Sequence, residues 1–126
     1  MSSHRFVIRT TIDRSIVDSF LDFVVKHYPA SITIVLCSTG GDSFFAQQIV
    51  QICKDCGISL TVFAYCSVSE GALSLFQNSY VSKRLIVSGC QFANQELISN
   101  GLQIEEGDVT VVAYDRLVKC LREDND

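Results

Sequence analysis

Two apolar periodicities alternate along the chain. Four short runs rich in apolar and β-branched residues predict buried strands; they lie at 5–11, 31–38, 59–66 and 83–88. Three intervening segments carry apolar residues at helical spacing and predict helices; they lie at 13–28, 42–56 and 69–79. This βαβαβαβ order is typical of an α/β fold with an open, mostly parallel sheet, helices on both faces and right-handed crossovers.

Local signals mark the ends of the predicted helices. Asp13 and Asp42 each precede a helical segment and are predicted caps. Gly40-Gly41 predicts a turn after the second strand, and Gly57 ends the helix that follows.

The pattern weakens after Gly89. Residues 91–103 suggest a short strand and a turn at Asn100-Gly101, residues 108–114 a strand, and residues 114–123 a final helix. With 126 residues the chain is predicted to form a single domain, 1–126.

Composition narrows the function classes. Apolar residues make up 48% of the chain, and such a high share suggests buried strands and an apolar patch that a partner covers. The formal charge is −4 and no Lys/Arg stripe occurs, which argues against nucleic acid as a partner. No apolar run is long enough to span a membrane, and the first residues do not form a signal peptide.

The six cysteines lie mostly inside apolar runs, where a free thiol behaves as a small hydrophobe. Their placement predicts a reducing, cytoplasmic setting without disulfides. Cys53 and Cys56 form a CxxC pair, but no second ligand pair or nearby histidine accompanies it. The sequence therefore predicts no metal and no cofactor.

Two signatures are expected at the carboxyl ends of the strands, where parallel sheets bind ligands. Gly40-Gly41 lets backbone N–H groups approach a ligand, and Ser69 lies where a strand gives way to a helix. A hydroxyl beside N–H donors suits acyl transfer. The alternative is structural, with Ser69 as an ordinary N-cap and Gly40-Gly41 as an ordinary turn.

Three segments together resemble the proteolytic subunit of the Clp protease (ClpP) and the wider ClpP/crotonase superfamily. "CSTGGD" at 37–42 is similar to that family's Asn-Ser-Pro-Gly-Gly-Ser turn. "AYCSVSEGALSLF" at 64–76 is similar to its Gly-x-Ala-Ala-Ser-Met-Gly-Ala segment, and "SKRLIVSGCQF" at 82–92 to its Gly-Lys-Arg strand. The resemblance covers residues 6–95 and implies a ClpP/crotonase-like sheet.

The resemblance also implies roles for individual residues, and this sequence departs from the family's pattern. It places Ser69 at the nucleophile and implies oxyanion-binding N–H groups from Gly41 and Glu70, beside Gly40. The family's catalytic histidine falls on Gln95, and only 31 residues follow it. The chain is therefore expected to be truncated relative to the family after about residue 95, without the long handle helix and the aspartate segment.

No side chain offers an obvious base for Ser69. His4 and His27 precede the first and second strands, so both are expected at the opposite ends of strands roughly 20 Å long. Lys83 begins its strand, and Lys54 lies far along a helix. The remaining candidates are carboxylates, with Asp42 interpreted as a cap and Glu70 as a first-turn acid that favours the helix dipole.

These observations predict a ClpP-like protein that has lost serine peptidase activity and acts as a non-catalytic subunit or a module that binds peptides or partners. One alternative is an active serine endopeptidase with an unusual base or one from a neighbouring subunit. Another is a crotonase-like acyl-CoA enzyme. The expected partners are further copies or other ClpP-like subunits, and a candidate contact is the helix face with Phe44, Phe45 and Ile49. The equal alternative for these three residues is a place in the core.

Overall fold

The computed structural model of this chain describes residues 3–92 and 109–122. In that part of the chain, six strands form one parallel sheet; they are β1 (Ser3–Ile8), β2 (Ser31–Ser38), β3 (Ser59–Val68), β4 (Lys83–Val87), β5 (Gln91–Phe92) and β6 (Val109–Val112). The helices are α1 (Arg14–His27), α2 (Ser43–Cys56), α3 (Gly71–Gln77) and α4 (Tyr114–Arg122).

The sheet order is β1-β2-β3-β4-β6, with the short β5 paired to the end of β3. Ser31 pairs with Ser3 on one side and Ser59 on the other, so the amino ends of the first three strands lie at one edge. Their carboxyl ends therefore lie together at the opposite edge. The predicted parallel pairing of the four main strands is confirmed.

The two faces of the sheet are covered unequally. The larger core lies between one face and helices α1, α2 and α3, with Phe20, Ile49 and Leu75 among its fully buried side chains. A smaller cluster on the other face contains Phe63 and is covered by Leu117 of α4. The predicted placement of helices on both faces is confirmed. Among the described helices, α1, α2 and α3 cover one face and α4 covers the other.

The predicted caps of the two long helices are present in the structure. The Asp13 carboxylate accepts from Ile16 N at 3.2 Å, and the Asp42 carboxylate accepts from Phe44 N at 2.8 Å. Gly57 ends α2 in the left-handed conformation with φ +67°. These cap predictions are confirmed because a cap depends on its own turn of helix.

Among the described residues, the second half of the chain agrees with the sequence-based prediction except at one helix. α3 spans 71–77 rather than 69–79, since the chain before Gly71 continues β3 and then turns. The late strand and the final helix are confirmed, as is a short strand at 91–92. The turn predicted at Asn100-Gly101 lies outside the described residues.

The apolar residues of α2 do not form one exposed face. Phe44 is 57% exposed, Phe45 is half-buried and packs on the larger core, and Ile49 is fully buried in it. Of the two alternatives for these residues, Ile49 belongs to the core and not to a surface contact, whereas Phe44 is exposed. Within the described ranges, no helix combines the length and the apolar character needed to cross a bilayer.

Candidate functional site

Two turns meet at the carboxyl edge of the sheet, one between β2 and α2 and the other between β3 and α3. A Cβ atom on Gly71 would lie 2.7 Å from Gly41 C and 2.9 Å from Asp42 N. These separations are below any tolerated contact with backbone, so only glycine fits at position 71. The absence of a side chain there lets the start of α3 rest directly on the Gly-Gly turn.

Gly41 is required for a second reason. Its φ of +112° belongs to a region that favours glycine, and an added Cβ would lie 2.6 Å from the carbonyl oxygen of Ile12. Ile12 forms an isolated parallel bridge with Gly41, and Asp42 N donates to Ile12 O at 3.3 Å. The loop after β1 therefore holds the Gly-Gly turn from the other side.

An open depression of about 460 Å³ lies over these turns, lined by Gly41, Asp42, Ser43, Glu70 and Gly71. We call it the edge depression. Across residues 3–92 and 109–122, no acceptor is found for the backbone N–H groups of Gly41 and Glu70. The structure thus brings together the two residues for which an oxyanion role was predicted and leaves their donors available.

Ser69 does not line the edge depression. It is half-buried, and its backbone N–H donates to Ser38 O at 3.0 Å, which extends the pairing between β2 and β3. The N-cap position of α3 belongs to Glu70. The structural alternative for Ser69, an ordinary N-cap, is therefore wrong.

Glu70 is the apex of the turn that leads into α3. Its φ of 54° and ψ of −124° are unusual for a residue with a side chain, and its carboxylate makes no capping hydrogen bond. The interpretation of Glu70 as a first-turn acid is wrong, since it precedes the first residue of the helix. In the nucleophile elbow of α/β-hydrolases, the strained strand-to-helix position carries the reactive serine.

The position of this apex depends on an irregularity in β3. Leu36 of β2 pairs with Ala64, whereas Ser38 pairs with Val68, so β3 contains extra residues at this bulge. Cys66 lies within it at φ +62°. Sequence periodicity predicted the strand only to residue 66, and the bulge carries it to Val68.

Both histidines lie at the edge of the sheet that is opposite Ser69. His4 pairs with Ile32 near the start of β2, whereas Val68, which precedes Ser69, pairs with Ser38 at the end of β2. The six residues from Ile32 to Ser38 separate His4 from Ser69 by about 20 Å along the strands. The rings of His4 and His27 lie 4.6 Å apart, centroid to centroid. Burial, the nearby His4 and then Lys26 lower the pKa of His27.

The other predicted candidates are also apart from Ser69. Lys83 begins β4 at the amino edge, and Lys54 lies in the last turn of α2. Gln95, at the family's histidine position, lies outside the described residues. Asp42 lines the edge depression, but its carboxylate is engaged as the cap of α2.

The cysteines take no part in the edge depression. Burial, with a smaller effect of Cys56, raises the pKa of the Cys53 thiol to about 12. A thiol that stays protonated at neutral pH is a poor metal ligand and a poor nucleophile. The described ranges contain no group of three or more His, Cys, Asp or Glu side chains placed to hold a metal ion.

Comparisons with known proteins identify the fold. No protein-family model matches this sequence, and a comparison with curated proteins gives no match either. Among solved structures, a mutant of the 1510-N membrane-bound stomatin-specific protease in complex with a substrate peptide superposes with a TM-score of 0.60. It is 16% identical, and the match covers 72% of this chain and 43% of that one.

Two ClpP structures give similar matches. The ClpP catalytic domain from Plasmodium falciparum is 15% identical with a TM-score of 0.59, over 79% of this chain and 59% of that chain. ClpP1 from Listeria monocytogenes is 14% identical with a TM-score of 0.59, over 76% of this chain and 64% of that chain.

These matches establish a ClpP-like fold, as the three sequence segments predicted. The chain spans less than two thirds of the length of these three structures. At such low identity the likeness concerns the fold, and the chemistry must be argued from the residues of this chain.

Proposed function

We propose that this ClpP-like protein is a non-catalytic subunit that binds extended peptide at the edge depression. The observation that carries the proposal is the position of Glu70 at the apex of the strand-to-helix turn, the position that holds the reactive serine in the nucleophile elbow of α/β-hydrolases. Ser69, one residue earlier, continues the pairing of β3 with its backbone N–H bound to Ser38.

The electrostatics of the edge depression support the loss of peptidase activity. A carboxylate at the apex repels the oxyanion that forms when a peptide bond is attacked. Neither histidine can act as a base for Ser69, since both lie at the opposite edge of the sheet. A serine hydroxyl is a weak nucleophile until an adjacent base takes its proton.

The available backbone donors support peptide binding. The N–H groups of Gly41 and Glu70 face no acceptor in the described residues, and an extended peptide offers a carbonyl at every residue. The depression is open, and Ser43, the first residue of α2, lines it. A peptide can therefore lie across the edge without any rearrangement of the core.

A binding assay with a matched pair of variants tests this proposal. Fluorescence anisotropy of a fluorescein-labelled unstructured decapeptide is expected to report binding without hydrolysis. Ser43→Trp fills the edge depression and is expected to weaken binding by about tenfold or more, equivalent to about 1.4 kcal/mol.

Ser15→Trp introduces the same side chain at an exposed position in the first turn of α1 and is expected to leave binding unchanged. Equal affinity in both variants, or no binding by the wild-type chain, would overturn the proposed site.

A second candidate is an acyl-CoA enzyme of the crotonase type in which Glu70 is the base. The observation that favours it is the uncapped Glu70 carboxylate beside two available N–H donors. Exchange of the α-protons of acetyl-CoA with deuterated solvent, lost in Glu70→Gln, would favour this enzyme over the peptide-binding subunit.

Self-association is also part of the proposal, with further copies or other ClpP-like subunits as partners. The supporting observation is an exposed apolar stripe along α1 and its C-cap, where Leu21, Val25 and the C-cap Tyr28 are 45%, 73% and 70% exposed. Light scattering at micromolar concentration is expected to give a mass above the 14.0 kDa of one chain. A mass of 14.0 kDa alone would contradict the proposed self-association.

A further inference from the structure

A second concave site lies near the amino edge of the sheet, on the face that α4 covers. It is a groove of about 320 Å³ between strands β2, β3 and β4 and helix α4. We call it the basic groove. It lies near the opposite end of the strands from the edge depression, so it is independent of the proposed peptide site.

Strand register builds one wall of the basic groove. Thr33 pairs with Thr61, and Thr61 pairs with Lys83, so the three residues stand side by side on neighbouring strands. Because neighbouring strands lie about 4.8 Å apart, the two hydroxyls and the ammonium group lie on one face within reach of one small ligand. All three line the groove.

Helical spacing builds the other wall. Arg116 and Lys119 are three positions apart on α4 and therefore lie on the same side of the helix. Leu117, between them, is buried against the sheet and fixes the helix there. Two further cations are thus held over the wall formed by the strands.

Charge distinguishes this groove from the rest of the molecule. The chain carries a formal net charge of −4, yet the described residues that line the groove include Lys83, Arg116 and Lys119 and no Asp or Glu. In the described ranges, the one salt bridge joins Arg14 to Asp18. None of the three groove cations is therefore neutralised by a carboxylate from that part of the chain.

The floor of the groove is apolar. Phe63 and Leu85 follow Thr61 and Lys83 by two residues along their strands, on the same face, and line the groove beside them. A ligand that fits this arrangement combines a compact anion of more than one charge with a small apolar group. Three cations favour a dianion over a monoanion, and the hydroxyls supply further hydrogen bonds.

We propose that the basic groove binds a phosphate monoester that carries a small apolar group. The phosphate contacts Lys83, Arg116 and Lys119 with the hydroxyls of Thr33 and Thr61, and the apolar group lies toward Phe63 and Leu85. Phenyl phosphate is a suitable probe for this chemistry, and inorganic phosphate is the probe for the anionic part alone.

Isothermal titration calorimetry at low ionic strength tests the proposal. Phenyl phosphate is expected to bind more tightly than inorganic phosphate because the ring adds apolar contact. Binding of both is expected to weaken as salt is added. Each of Lys83→Gln and Lys119→Gln is expected to weaken binding by about two- to fivefold, the range for partly exposed charge pairs.

Lys26→Gln and Lys54→Gln are the matched controls, because they make the same charge change on α1 and α2 at the other face of the sheet. They are expected to bind phenyl phosphate like the wild-type chain. Equal weakening in controls and groove variants would show a nonspecific effect of net charge and overturn the site. Absence of heat up to about 10 mM phenyl phosphate would also overturn it.

Discussion

Arg84 is a buried cation that ties β4 to the end of α3. It is 3% exposed, and its guanidinium donates to Phe76 O at 2.6 Å and to Asn78 O at 2.5 Å. Arg84→Lys is expected to lower the free energy of unfolding by about 1–3 kcal/mol, because an ammonium group cannot reproduce the planar pair of donors. Urea denaturation measures this change.

Arg14→Lys is the control for that substitution, since the Arg14 side chain is 84% exposed and its salt bridge is at the surface. It is expected to change stability by less than about 0.5 kcal/mol. Equal effects of the two substitutions would contradict the role assigned to Arg84.

His27 gives the protein a dependence of stability on pH. Burial, then the charges of His4 and Lys26, lowers the pKa of His27 below its ordinary value of 6.5. Below that value the unfolded chain binds the proton more readily than the folded chain, so the free energy of unfolding falls as pH falls.

Urea unfolding at about pH 7.5 and pH 5.5 measures this effect, with His27→Gln as the comparison. The wild-type chain is expected to lose more stability between the two pH values than the variant does. An identical loss in both would show that His27 does not contribute.

Residue-level predictions succeeded where the chemistry is local. Asp13 and Asp42 cap their helices as predicted, because a cap needs only its own first turn. Glu70 was misassigned because its conformation depends on the contact between Gly71 and Gly41, which are distant in sequence. Helix propensity carries no information about such a contact.

At the scale of elements, the contact between the β3–α3 and β2–α2 turns defines the edge depression. Gly71→Ala is expected to lower the free energy of unfolding by about 1–3 kcal/mol, because its Cβ would overlap the backbone of Gly41 and Asp42. Thermal unfolding followed by circular dichroism measures the loss.

Gly57→Asn is the control, since Gly57 has φ +67° but no atom within 4 Å of an added Cβ. Asparagine tolerates this conformation at a helix end, so a change of less than about 1 kcal/mol is expected. A larger loss from Gly57→Asn than from Gly71→Ala would contradict the contact between the turns.

At the scale of the whole molecule, the parallel sheet was predictable because continuous β-branched runs alternate with helical segments. The division of the helices between the two faces was not predictable, since periodicity does not say which side of a sheet a helix covers. The burial of Ile49 follows from that division. The basic groove also escaped prediction, because Lys83 and Lys119 are brought together only by strand register and by α4.

The proposed function requires that this ClpP-like fold carries no working serine nucleophile. Intact-mass measurement of fluorophosphonate labelling tests this requirement, with Ser69→Ala as the control. The wild-type chain is expected to label slowly and at the same rate as Ser69→Ala, because Ser69 lies outside the edge depression and neither histidine can reach its hydroxyl. Rapid, stoichiometric labelling that Ser69→Ala abolishes would contradict the claim and establish an active hydrolase.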